Sequence, residues 1–228
     1  MANNVLKVNG IAIASIAKIN GETDTDIAKL NGEEFAGITE WHTFIKSESP
    51  SNVSSVSFVD GTSSVVMDST YDIYEWHFIN LHPVNDNADL MFQVNATDDA
   101  GGSYDASPIH STFTYLGHNE SGSSTGPGYD AGFDTTNDAS SYTNIGVYFG
   151  NANDEAGCGV LRLYAPSNST YVKHWNAEIH NTSFERYAFA SYTGGYINDT
   201  TPIDEISFKF DTGNIESGEI RMYGIKGG

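Results

Sequence analysis

From residue 53 onward the chain alternates apolar and polar side chains in short runs, the pattern of strands with one face in a core and the other in water. The runs cover residues 53–59, 73–79, 90–95, 109–116, 145–149, 159–164, 171–180, 184–192, 205–210 and 219–225. Turn-forming residues separate most of them, and no run holds a helical period over three turns. This predicts an all-β fold: an antiparallel β-sandwich, jelly-roll-like, with about ten strands.

The first 38 residues have a different pattern. Val5-Leu6-Lys7-Val8-Asn9-Gly10, Ile16-Ala17-Lys18-Ile19-Asn20-Gly21 and Ile27-Ala28-Lys29-Leu30-Asn31-Gly32 form a repeat of eleven residues. Asn-Gly tolerates positive φ at both positions, so each unit reads as a short apolar segment closed by a tight turn. The apolar segments read as strands or as single helical turns, with Ser15 and Asp26 placed to cap the latter. Units this short bury little alone and need stacking or a partner. An assembly arm is therefore expected, carried by Val8, Asn9, Gly10, Ile16, Ile19, Asn20, Gly21, Ile27, Leu30, Asn31 and Gly32. The predicted organisation is an arm over 1–38, a linker over 39–52 and the sandwich over 53–228.

One stretch interrupts the strand rhythm. Residues 117–144, rich in Gly and Ser, read as a loop far longer than usual, with Tyr129, Phe133 and Tyr142 among short polar residues. That mixture suits contact with sugars or protein surfaces, so the three aromatics are the expected recognition residues; a surface loop with anchoring aromatics is the competing reading.

Composition narrows the function classes. Thirty acidic residues against ten basic ones leave a net charge of −20, which repels phosphate backbones and anionic lipid, so neither nucleic acid nor membrane is an expected partner. Residues 1–6 lack the basic and apolar regions of a secretion signal, and no apolar run is long enough to span a bilayer, which predicts synthesis in a cytoplasm. The single cysteine, Cys158, is expected to be buried and inert. Six Asn-x-Ser/Thr triplets are read as products of an Asn-, Ser- and Thr-rich composition.

No nucleophile elbow, phosphate loop, dinucleotide fingerprint or Cys/His cluster occurs, and carboxylate pairs are too abundant to single one out, so no enzyme activity is expected. Asn85-Asp86-Asn87-Ala88-Asp89 spaces oxygen ligands as a calcium loop begins but lacks the later Gly and Glu of an EF-hand. Asp86 and Asp89 are the candidate ligands for a structural calcium, against an ordinary Asx turn; no other cofactor is expected. His174, Asn176, Glu178 and His180 share one strand face, which reads as a solvated face.

Two segments carry a resemblance. Ile11-Ala12-Ile13-Ala14-Ser15-Ile16-Ala17-Lys18-Ile19-Asn20-Gly21 resembles the short repeats at the N-termini of structural proteins of tailed bacteriophages, marine ones especially. Ile206-Ser207-Phe208-Lys209-Phe210-Asp211-Thr212-Gly213 through Lys226 resembles the closing hairpin of phage tail and head appendage domains. The resemblance implies a virion protein, a tail fibre or appendage subunit held by its arm with the sandwich outward, a homotrimer that contacts other virion proteins and a host surface glycan or protein. Capsid decoration or a head fibre is the close alternative, and a carbohydrate-binding or depolymerase domain the second.

Overall fold

The computed structural model describes residues 42–99, 104 and 107–226, together with the backbone of six two-residue strands nearer the N-terminus. The chain divides into two compact units, Met1–Trp41 and His42–Gly228.

The first unit contains three minimal antiparallel pairs: β1 (Lys7–Val8) with β2 (Ile11–Ala12), β3 (Lys18–Ile19) with β4 (Glu22–Thr23), and β5 (Lys29–Leu30) with β6 (Glu33–Glu34). Val8 faces Ile11, Ile19 faces Glu22 and Leu30 faces Glu33, one pair at each predicted Asn-Gly turn. The repeat segments are thus paired strands wherever they are described. Asn9, Gly10, Ile16, Asn20, Gly21, Ile27, Asn31 and Gly32 lie outside the described residues, as do the predicted caps Ser15 and Asp26.

The second unit is an antiparallel β-sandwich of twelve strands with no helix among the described residues. They are β7 (Thr43–Glu48), β8 (Val56–Val59), β9 (Ile73–Pro83), β10 (Ala88–Ala96), β11 (Ile109–Asn119), β12 (Ser124–Tyr129), β13 (Thr143–Phe149), β14 (Gly157–Tyr164), β15 (Lys173–Thr182), β16 (Tyr187–Ile197), β17 (Ile203–Phe210) and β18 (Ile215–Ile225). One sheet runs β13-β10-β17-β8 and the other β12-β11-β16-β15-β14-β9-β18-β7.

The pairings explain this order. β7 pairs with β18, β8 with β17, β9 with β14 and β10 with β13, so eight strands nest as one long hairpin rolled over two sheets. That is the jelly-roll topology. Two hairpins are inserted into it. β11 and β12 lie between β10 and β13 in sequence, β15 and β16 between β14 and β17, and together they extend the β14 edge of the larger sheet.

All ten predicted strands are present, and two were not foreseen. Residues 39–52, read as a linker, contain β7, so the sandwich begins at His42 and not at residue 53. Residues 117–144, read as one long loop, contain the end of β11 and all of β12. Cys158 is exposed, a correction to the buried thiol: Gly157 takes the inward position on β14, so its neighbour faces solvent, where Asn80 N–H donates to Sγ at 3.3 Å.

The core lies between the sheets. Tyr74, Trp76 and Phe78 occupy alternate positions of β9 and are buried; Phe58 and Phe208 of the facing sheet meet the Trp76 ring at 6.3 and 6.0 Å. Phe92 and Trp175 meet edge to face at 4.6 Å, Phe149 and Phe210 at 5.2 Å. Such pairs add roughly 0.5–1.5 kcal/mol each beyond area burial. Lys173 is also buried, its ammonium donating to the carbonyls of Asp199 (3.2 Å) and Thr201. Gly218, at φ +118°, sits where the β18 register shifts, and a Cβ there would meet the Asn80 carbonyl oxygen at 2.7 Å.

Candidate functional site

Away from the main core, the inserted hairpins build a second, smaller apolar cluster. Phe113 of β11, Val147 of β13 and Phe189 of β16 are buried there, and Tyr115, Phe133, Tyr148 and Tyr187 pack against them half-buried. The Tyr115 and Phe189 rings stack at 5.5 Å and 12°, and Tyr148 meets Phe189 edge to face at 5.5 Å.

Above this cluster opens a cavity of about 320 Å³ lined by Tyr115, Tyr148, Ser183, Phe184, Glu185, Tyr187 and Phe189. Its size falls at the lower end of small-molecule sites. Three strands and one turn contribute, so it exists only because the insertions lie beside β13. The turn is closed by Ser183 N–H donating to the Tyr187 carbonyl at 2.9 Å and Arg186 N–H to the Ser183 carbonyl at 2.7 Å, with Arg186 at φ +60°. Asn119 Nδ2 from β11 holds the Glu185 carbonyl at 2.7 Å.

Tyr148 is the strained element of the wall. It lies in β13 at φ +62°, a region costly for an aromatic residue. Two bonds hold it there: its N–H donates to Asp89 Oδ1 at 2.9 Å, and its carbonyl accepts from Phe184 N–H at 3.1 Å. Burial raises the Asp89 pKa to about 6, opposed by the Tyr148 N–H and assisted by the charge of Asp211. Burial, then the charges of Asp130 and Asp89, also raise the pKa of the Tyr148 phenol. Ring faces, phenols, one serine and one carboxylate suit a neutral polyhydroxyl ligand, since the acidic surroundings disfavour an anion.

The predicted recognition residues are not gathered together. Phe133 is an anchor, packed on Phe113 at 5.1 Å and Tyr148 at 5.5 Å. Tyr129 is exposed, and its hydroxyl bonds to Asp134. Tyr142 lies near Tyr104 with Lys209 Nζ 4.3 Å over its ring. Asp86 accepts from Asn151 N–H at 3.3 Å and Asp89 from Tyr148 N–H at 2.9 Å, so each of the two candidate calcium ligands spends an oxygen on the backbone of β13 and the residues just after it. The face of His174, Asn176, Glu178 and His180 is solvated, His180 Nε2 lying 2.9 Å from Glu178 Oε1.

Sequence reasoning missed the lining tyrosines Tyr115, Tyr148 and Tyr187, which are brought together by the long-range β11–β16 pairing and by the packing of Tyr148 on Phe189. It also missed a cluster on the outer face of the larger sheet. Glu75 of β9 is buried there, with Arg162 Nε 2.6 Å from Oε1 and the Nε2 atoms of His42 and His77 at 2.9 and 2.8 Å from Oε2. Burial pushes the Glu75 carboxyl up, but bonds from His77, Arg162 and His42 outweigh it and hold the group below its usual range. The Glu-x-His spacing on β9 was the only local signal.

No protein-family model matches the chain, and no curated protein matches it.

Proposed function

We propose that the chain is a virion appendage subunit, held to the particle by its repeat arm, whose jelly roll presents the inserted hairpins to a neutral host-surface glycan. The observation that carries this reading is the aromatic cavity. It lies wholly in the insertions and the β13 strand they cover, where a rigid roll leaves room for a binding surface. Aromatic faces bind the apolar faces of sugar rings, and the phenols and Glu185 offer partners for hydroxyls. The repeat arm resembles the N-terminal repeats of tailed-phage structural proteins and the closing hairpin resembles phage tail and head appendage domains, and a net charge of −20 disfavours nucleic acid and anionic lipid as partners.

The test is a glycan array probed with the labelled full chain and with Tyr187→Ala. Binding to a set of neutral glycans that falls about tenfold or more in the variant supports the reading; absence of any glycan binding, or equal binding by both chains, overturns it. For the arm, sedimentation of the full chain should give an oligomer and deletion of 1–38 a folded monomer. An unchanged oligomer after deletion removes the arm from assembly.

A further inference from the structure

We propose that His42, Glu75 and His77 form a binding site for one divalent transition ion of the zinc class, a site separate from the aromatic cavity. Glu75 stands on the solvent-facing side of the larger sheet, yet its side chain is only 5% exposed, because four neighbours enclose it. Arg162 on β14 takes Oε1, and the Tyr223 ring of β18 packs 4.9 Å from the His77 ring and 6.1 Å from the His42 ring. Oε2 is left to the two imidazoles, and the three candidate ligand atoms all lie within 4.8 Å of one another.

Two imidazole nitrogens and one carboxylate oxygen are the donor set of open zinc sites, with the fourth tetrahedral position left to water. Neutral imidazole selects this class of ion, whereas calcium and magnesium require several more oxygens than the cluster supplies. In the absence of an ion each Nε2–H donates to Oε2. An ion takes the place of those two protons at Nε2, each imidazole remaining neutral with its proton moved to Nδ1, and needs the ligand atoms about half an ångström farther apart than 2.8–2.9 Å. The rings of His42 and His77, 52% and 38% exposed, have the freedom to turn. Arg162 orients the ligating carboxylate through its other oxygen, as supporting partners of metal ligands do.

The consequence is mechanical. Among the described residues β7 is the edge of the larger sheet and pairs only with β18. An ion held by His42, just ahead of β7, and by Glu75 and His77 of β9 fastens that edge across the intervening strand.

The experiment uses tag-free full chain stripped with a chelator, titrated with Zn2+ by calorimetry and with Co2+ by visible absorption. Expected are saturation near one ion per chain, the strong Co2+ bands of four-coordination, a higher melting temperature with Zn2+, and no competition from Ca2+. His42→Ala and Glu75→Gln should each weaken binding by about 100-fold or more. His180→Ala, which removes an exposed imidazole elsewhere on the same face, should leave it unchanged. His42 is half-exposed and precedes its strand, so its variant keeps the fold and the test stands even where Glu75→Gln fails to fold. No saturable Zn2+ uptake by the wild type, or wild-type titration by His42→Ala, overturns the proposal and leaves a hydrogen-bonded cluster only.

Discussion

The eight nested strands and the two inserted hairpins use aromatic side chains in opposite ways. In the roll, Tyr74, Trp76, Phe58, Phe92 and Phe208 are fully buried between two sheets, each ring covered on both sides. Where the insertions meet β13 of the roll, the rings of Tyr115, Tyr148 and Tyr187 instead have one side on a small cluster and the other at a cavity. The roll gains its stability from close packing, and every missing atom there leaves a void. The contact of the insertions with β13 forgoes part of that packing, and there Tyr148 is held at its strained φ by its N–H on Asp89 and its carbonyl on Phe184 N–H. Close packing and the open cavity thus fall in different parts of the sandwich, the cavity lying between β13 of the smaller sheet and β11 and β16 of the larger one.

The largest expected effect tests the roll. Trp76→Ala should destabilise the sandwich by roughly 3–5 kcal/mol in urea unfolding, taking roll and insertions together in one transition. Two transitions would show that the insertions fold apart from the roll.

A second substitution addresses the link between the regions. The folded-state pKa of Asp89, about 6, lies above its ordinary 3.8, so the folded chain holds this proton more tightly. The stability contribution is complete below about pH 3.8 and is lost as pH rises through 6, leaving a buried charge above that. Asp89→Asn keeps an oxygen for the Tyr148 N–H and removes the charge. It should be more stable than wild type by roughly 2 kcal/mol at pH 7.5, with the advantage gone by pH 4, as read from thermal melts across pH. An equal difference at both pH values would mean that Asp89 acts by shape alone.

Gly218→Ala is expected to cost roughly 1–3 kcal/mol, because the new Cβ meets the backbone of β9 at a positive φ, and to leave glycan binding unchanged. Glu185→Gln comes last. At an exposed rim position it should shift stability by less than about 0.5 kcal/mol while lowering glycan affinity, which separates the two regions most cleanly.

Much of the roll was legible along the chain. On β15 the outward His174, Asn176, Glu178 and His180 alternate with the inward Trp175, Ala177 and Ile179, and such alternation survives in any sheet with one wet face. β7 was hidden because its residues are nearly all half-buried, as on a sheet edge, so no alternation marks it. β12 was hidden by composition: Gly126, Pro127 and Gly128 argue against a strand, and Pro is tolerated there because β12 is the opposite edge. The cavity was not legible, since Tyr115, Tyr148 and Tyr187 carry no mutual spacing and are joined by the β11–β16 pairing and by the contact of Tyr148 with Phe189.

What the sequence alone determined is therefore local: the positions of ten strands, the inward face of each, the short repeat segments that flank each Asn-Gly, and a strongly acidic charge. Period-two patterning and turn chemistry act over a few residues, and a single chain reports them. The tertiary structure decided the nesting of strands into a roll, the siting of both hairpins on one edge, and the meeting of His42 with Glu75 across 33 positions. Those depend on which strands pair, a choice made by burying all the inward faces at once, and no short window of residues contains it.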